Sequence, residues 1–245
     1  MIFSTFSLAY ILGTRFFRLD ERTTILIGAG SSICGAAAIL ATEPIVKGEN
    51  EQVTIAVATV VVFGTIAMFL YPALYILNQH EQIIPGSTSQ FGIYIGSTIH
   101  EVAQVVVAGN TINSSAADTA VITKMVRVMM LAPFLIFLSL WLSKRRINGI
   151  EEMNHSSKIT IPLFAIFFIV VVLFNSLKLL PSSSQPITTA VDTFLLAIAM
   201  AALGISTHIS SIKKAGVRPL LLAFILFIWL VIGGAFINRF VFMLI

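Results

Sequence analysis

Charge is scarce in this chain. Of its 245 residues only 11% are Asp, Glu, Lys or Arg, against 57% hydrophobic residues and a mean hydropathy of +0.97. Ordinary soluble domains carry roughly 25% charged residues, so a water-soluble globular fold is excluded. Cysteine is almost absent: Cys34 stands alone, which rules out an internal disulfide and leaves the redox compartment undefined. No basic region precedes the first apolar run and no clear cleavage site follows it, so no secretory signal is evident. The net charge of +4 does not make a nucleic-acid surface, because the basic residues lie in short loops between apolar runs. No nucleic-acid partner and no cofactor are expected.

What the chain does have is eight apolar segments, at about 2–14, 24–42, 53–77, 91–109, 119–142, 159–177, 190–209 and 219–240. Runs of about twenty residues match a hydrocarbon core of roughly 30 Å. The pattern predicts an all-α integral membrane protein, a polytopic helical bundle forming one transmembrane domain over 1–245, with the lipid bilayer as its solvent. If every segment spans and the first loop is cytoplasmic, that side receives Arg15, Arg18, Arg22, Lys144, Arg145, Arg146, Lys158, Lys213, Lys214 and Arg218. The other side receives only Lys47, Lys178 and Arg239, as the positive-inside rule requires. The first segment is short and follows Met1 directly, so the chain is expected to be the C-terminal part of a longer protein, or a shortened version of one. Homo-oligomerisation stays open at this level.

Two stretches look like copies of one another. Gly30-Ser31-Ser32-Ile33-Cys34 is matched 66 residues later by Gly96-Ser97-Thr98-Ile99-His100, and each is followed by a polar loop and a long apolar segment carrying a proline, Pro72 or Pro133. Glycines and small hydroxyls loosen a helix. In a bilayer, irregular backbone survives only where it is buried in protein or lines a cavity, which is the mark of a broken-helix transport site. Two interrupted helices are therefore expected. If both segments span, one helix lies between them and they run in the same direction.

In the first copy, Ser31 or Ser32 is the expected cap of an Ala-rich half-helix whose free N–H groups and positive dipole end attract an anion. Packing of small residues accounts for Gly30 and Gly96 equally well. In the second copy, Thr98 and Glu101 have the spacing of a capping box. A histidine and a carboxylate at the middle of an apolar segment call for a function, and proton coupling by His100 or Glu101 stands beside static hydrogen bonding. His100-Glu-Val-Ala-Gln104 brushes against a zinc-protease pattern, but its second ligand is Gln, so no metal site is expected. Lys124 and Arg127 either snorkel to the interface or face a cavity, pairing with Glu101 or meeting an anion. Asp192 and His208 read as interfacial, and Asn175 and Asn238 receive no role.

The stretches Ile27–Ala38, Ala41–Pro44, Gly92–Val106, Lys124–Pro133 and Phe194–His208 resemble the YeiH-type family of bacterial inner-membrane proteins, whose members carry the label of sulfate exporter. The resemblance runs the length of the chain. It implies an inner-membrane location, missing N-terminal spans, and a fold related to the cation–proton antiporter and bile-acid symporter group, with an inverted repeat. The expected function is secondary transport of a small anion, such as sulfate or another sulfur oxyanion. Gly30, Ser31, Ser32, Gly96, Ser97, Thr98, Lys124 and Arg127 would bind it, and His100 or Glu101 would carry a coupling proton. A cation–proton antiporter using Glu101 is the alternative.

Overall fold

The computed structural model describes residues 1–81, 84, 87–147 and 216–244, with scattered positions between 170 and 202. The segments 159–177 and 190–209, with Asn175, Asp192 and His208, lie outside the described residues apart from those positions. Ten labelled helices follow in order: α1 (Ile2–Ile11), continued by a π-helical turn (Leu12–Phe16), α2 (Glu21–Ser32), α3 (Ala36–Val46), α4 (Asn50–Glu81), α5 (Thr88–Thr98), α6 (Val102–Ile112), α7 (Ser114–Met129), α8 (Leu131–Ile147), α9 (Val217–Ile228), a second π-helical turn (Trp229–Gly233) and α10 (Gly234–Leu244). No strand occurs among the described residues. The protein is an all-α membrane protein. Among the described residues, three stretches are long and apolar enough to cross a bilayer, Asn50–His80, Ser114–Lys144 and Val217–Leu244. α7 and α8 form a single rod interrupted at Met130. The missing N–H of Pro133 leaves the Met129 carbonyl without its helical partner.

Both expected interruptions are present, but neither segment continues onward. Asp20 caps α2 by accepting from the N–H groups of Arg22 (3.1 Å) and Thr23 (2.8 Å), and also accepts from Gln52 in the first turn of α4 at 2.9 Å. Gly48, just beyond α3, packs against the Leu26 side chain, and Gly30 lies against Ile39 and Val60. Leu26 and Gly48 are 22 residues apart and would be about 33 Å apart on one straight helix. α2 and α3 therefore fold back on each other as a hairpin that opens beside the start of α4. The second segment does the same. Ser89 and Ser115 share a hydrogen bond of 2.7 Å, Gly92 and Gly96 press against the backbone of Ala116 and Ala120, and Gly109 presses against Ala117. Both α5 and α6 thus have their open ends beside the start of α7, which lies between them.

The two hairpins open at opposite ends of α4. Tyr75, near its C-terminal end, is 3.2 Å from Thr88 at the start of α5, whereas Gln52 meets the start of α2 at the other end. Each half-helix of 11 or 12 residues is about 16–18 Å long, roughly half the hydrocarbon thickness, so both tips reach the middle. The repeat offset of 66 holds for structure as well as sequence: α3 at 36–46 corresponds to α6 at 102–112, and α4 corresponds to the α7–α8 rod. The repeat is inverted. The same-direction arrangement held only on the condition that 24–42 and 91–109 each cross, and the hairpin contacts do not meet that condition.

Lys47 consequently changes sides. Arg15, Arg18, Arg22, Lys47, Lys144 and Arg218 lie at the end where the first hairpin opens, and Arg239 lies at the other. The positive-inside rule assigns the first end to the cytoplasm. Single cysteines test this arrangement in a Cys34→Ala background. Glu21→Cys and Glu49→Cys should be labelled by an impermeant thiol reagent from the cytoplasmic face, and Ser87→Cys and Ser114→Cys from the opposite face. Labelling of the two members of either pair from different faces would restore a spanning segment.

Candidate functional site

The two tips meet. At Ile33–Gly35 and Ile99–Glu101 the helical ladder is lost, with Ile33 at φ −122°, ψ −84° and Ile99 at φ −65°, ψ 148°. Four helix ends are thereby exposed at one place: the C-termini of α2 and α5 and the N-termini of α3 and α6. Each end lacks intrahelical partners for its last backbone groups, and away from water each such group costs several kcal/mol if unmatched.

Two cations from α7 match the carbonyl ends. The Lys124 ammonium donates to the carbonyls of Ile33 (2.9 Å) and Ile99 (2.7 Å), one from each tip. Arg127 donates through Nη2 to Ser31 (3.0 Å), through Nε to Ser32 (3.0 Å) and through Nη1 to Ile99 (3.1 Å). Lys124 is 0% exposed and Arg127 5%, so neither snorkels. Both are one turn apart on α7 and face the negative dipole ends of α2 and α5.

One carboxylate matches the N–H ends. Glu101 is the cap residue of α6 and forms a reciprocal capping box with Gln104, whose Oε1 accepts from the Glu101 N–H at 3.2 Å. Its Oε1 also accepts from the N–H of Ala36, the first residue of α3, at 2.8 Å. Glu101 thus joins the N-termini of both hairpins, as Lys124 joins their C-termini. Gly35, the cap of α3, has φ +69°, and a Cβ there would collide with Glu101 Oε1. Only glycine fits that backbone.

The predicted site residues divide accordingly. Ser31, Ser32, Lys124, Arg127, His100 and Glu101 are brought together. Gly30 and Gly96 are not at the breaks: they lie one turn earlier, where the helices approach closely. The expected caps are corrected too. Ser31, Ser32 and Thr98 end their helices rather than start them, so carbonyls and not N–H groups face the junction, and the capping box runs from Glu101 to Gln104 instead of from Thr98 to Glu101. The hydroxyls of Ser32, Ser97 and Thr98 bond carbonyls of their own preceding turn, Ala29 (3.3 Å), Tyr94 (3.1 Å) and Tyr94 (2.5 Å). Ser97 also accepts from Asn238 at 3.2 Å, which ties α10 to α5 and gives Asn238 the role that its isolation in the sequence had hidden. His100 is 2% exposed, and its Nδ1 has no hydrogen-bond partner. Gly35 was missed as a site residue, although it aligns with Glu101 at the offset of 66. A pocket of about 290 Å³ lies elsewhere, lined by apolar residues including Leu74, Phe91, Tyr94 and Val231.

Removing the bridging cation tests this geometry. Lys124→Met preserves side-chain length but leaves the Ile33 and Ile99 carbonyls without the ammonium. A loss on the order of 2–3 kcal/mol is expected for a buried charged donor, read as a lower thermal midpoint in detergent. An unchanged midpoint would show that these carbonyls do not depend on Lys124.

Comparison with known proteins places this chain in a family. A family model described as conserved hypothetical protein 698 matches residues 1–223. A UPF0324 membrane protein of Pseudomonas aeruginosa is 58% identical over 239 residues, covering 98% of this chain and 67% of the relative. A UPF0324 membrane protein of Yersinia pestis is 60% identical over 238 residues (97% and 66%). The inner membrane protein YeiH of Escherichia coli K12 is 59% identical over 237 residues (96% and 65%). The chain spans about two thirds of the length of these relatives, and no solved structure matches it. By these matches the chain belongs to the conserved hypothetical protein 698 family, the UPF0324 group of bacterial inner-membrane proteins.

Proposed function

We propose that this chain forms the translocation core of a secondary transporter that carries a small anion across the inner membrane by alternating access. The observation that carries the reading is the meeting of two oppositely opening hairpins at a buried, charged junction. Interrupted helices from inverted repeats, with half-helix ends at mid-membrane, are the recurring design of substrate sites in secondary transporters. Buried ionisable groups at that depth are costly and are retained for transport or proton relay. An inverted repeat also supplies two related conformations, since each hairpin can exchange its arrangement with the other.

The sign of the charge favours an anion. The four helix ends contribute two positive and two negative poles, which offset one another. Among the described residues, Lys124 and Arg127 then stand against one carboxylate, Glu101, which gives the junction a surplus positive charge. A sulfur oxyanion such as sulfate fits this surplus, and Arg offers a fixed fork of donors to such oxygens. Glu101 or His100 carries the coupling proton. The kinship with the cation–proton antiporter and bile-acid symporter group is part of the same proposal, supported by the two interrupted segments that meet centrally. The chain is read as a transporter rather than an enzyme.

The experiment is a flux assay. The chain reconstituted in liposomes should accumulate radiolabelled sulfate or sulfite under an imposed pH gradient, and Lys124→Met should abolish that flux. Sodium-driven proton movement that ignores every anion tested would select the cation–proton antiporter reading, with Glu101 as the cation ligand.

A further inference from the structure

At the N-terminus of α3 an anion is already in place, and it belongs to the protein. The Glu101 carboxylate accepts the Ala36 N–H at 2.8 Å, where the helix dipole and free N–H groups favour negative charge. The opposite tip is shaped for it: Gly35 has a positive φ and no room for a Cβ because the carboxylate fills that space. At the offset of 66, Glu101 is the counterpart of Gly35, so the side chain present in one copy occupies the vacancy in the other.

A second feature marks the same place as a ligand site. His100 adjoins Glu101 in the second tip, almost wholly buried, with Nδ1 unpartnered. A buried polar atom without a partner is uncommon and costly. Lys124 uses two of its three donors on carbonyls, and Arg127 three of its five. Donors for further oxygens are therefore at hand.

We infer that Glu101 is a tethered, exchangeable anion whose carboxylate closes the α3 N-terminus when the site is empty and, on taking up a proton, yields the Ala36 N–H to a doubly charged oxyanion. This rests on the anion-transport reading above and gives it a coupling rule: proton and substrate load together. The proton bonds to a Glu101 carboxylate oxygen, and the substrate oxygen replaces that oxygen as acceptor of the Ala36 N–H. With Glu101 neutral, Lys124 and Arg127 stand unopposed and match two negative charges. Among the described residues, the other titratable groups around the carboxylate are Cys34 in the first tip and His100 in its own.

Proton uptake on binding tests the inference directly. The purified chain in weakly buffered detergent solution is titrated with sulfate between pH 5 and pH 8. One proton should be taken up per sulfate bound, and affinity should weaken about tenfold per pH unit wherever Glu101 is ionised in the empty protein. Glu101→Gln keeps an acceptor oxygen for Ala36 and should bind sulfate with no proton uptake and no pH dependence. His100→Gln should retain the uptake, even if binding is weaker. Sulfate binding by the unaltered chain without proton uptake overturns the inference and leaves anion transport standing. So does uptake that is lost in His100→Gln, or that survives in Glu101→Gln. If neither the unaltered chain nor Glu101→Gln binds sulfate, sulfite or phosphate, both readings fall.

Discussion

The Lys124 ammonium, held between the carbonyls of Ile33 and Ile99, is the contact on which the remaining architecture depends. Breaking a helix within a membrane exposes backbone groups that water cannot reach. Two breaks at one point double the problem, and a single charge placed between two carbonyl ends solves half of it. Arg127 extends the solution to Ser31 and Ser32. Glu101 supplies the reverse solution for the N–H ends. The tips of the hairpins are thus held by charges set against helix ends, while apolar packing aligns their arms with α4 and α7.

Much of this was legible in the sequence because its causes are local. The apolar runs announced the long helices, and Gly30–Cys34 and Gly96–His100 announced the interruptions within a few residues. The cost of burying charge marked Glu101, but it left Lys124 and Arg127 between snorkelling and a cavity where they would pair with Glu101 or meet an anion. Their carbonyl partners lie 25 to 96 residues away. What failed was polarity and direction. Serine next to an Ala-rich run reads as an N-cap, yet Ser31 and Ser32 close the preceding helix and Gly35 opens the next. No local propensity separates a hairpin from a crossing helix, since both contain two apolar halves around a loose centre. The contacts that decide it, Leu26 with Gly48 and Ser89 with Ser115, are long-range. Asn238 was invisible for the same reason: its partner lies 141 residues away.

The two copies share geometry but not chemistry. Lys124 and Arg127 correspond at the offset of 66 to Ala58 and Val61, and Glu101 corresponds to Gly35. Among the described residues, each of these junction charges therefore comes from the second copy, while the first contributes bare backbone. Such a division lets the hairpins be alike in shape and unlike in response. The first hairpin offers poles of fixed partial charge, whereas the second carries the group able to change its protonation.

The spacing of these contacts also has a consequence for biosynthesis. The Ile33 carbonyl is formed 91 residues before the lysine that receives it, and that of Ser31 precedes its arginine by 96. When the first hairpin leaves the ribosome, none of its charged partners has been made. It must wait at the translocon or the membrane surface, with its ends hydrated, until α7 emerges. The order of translation thus makes the second copy the template on which the first is finally seated.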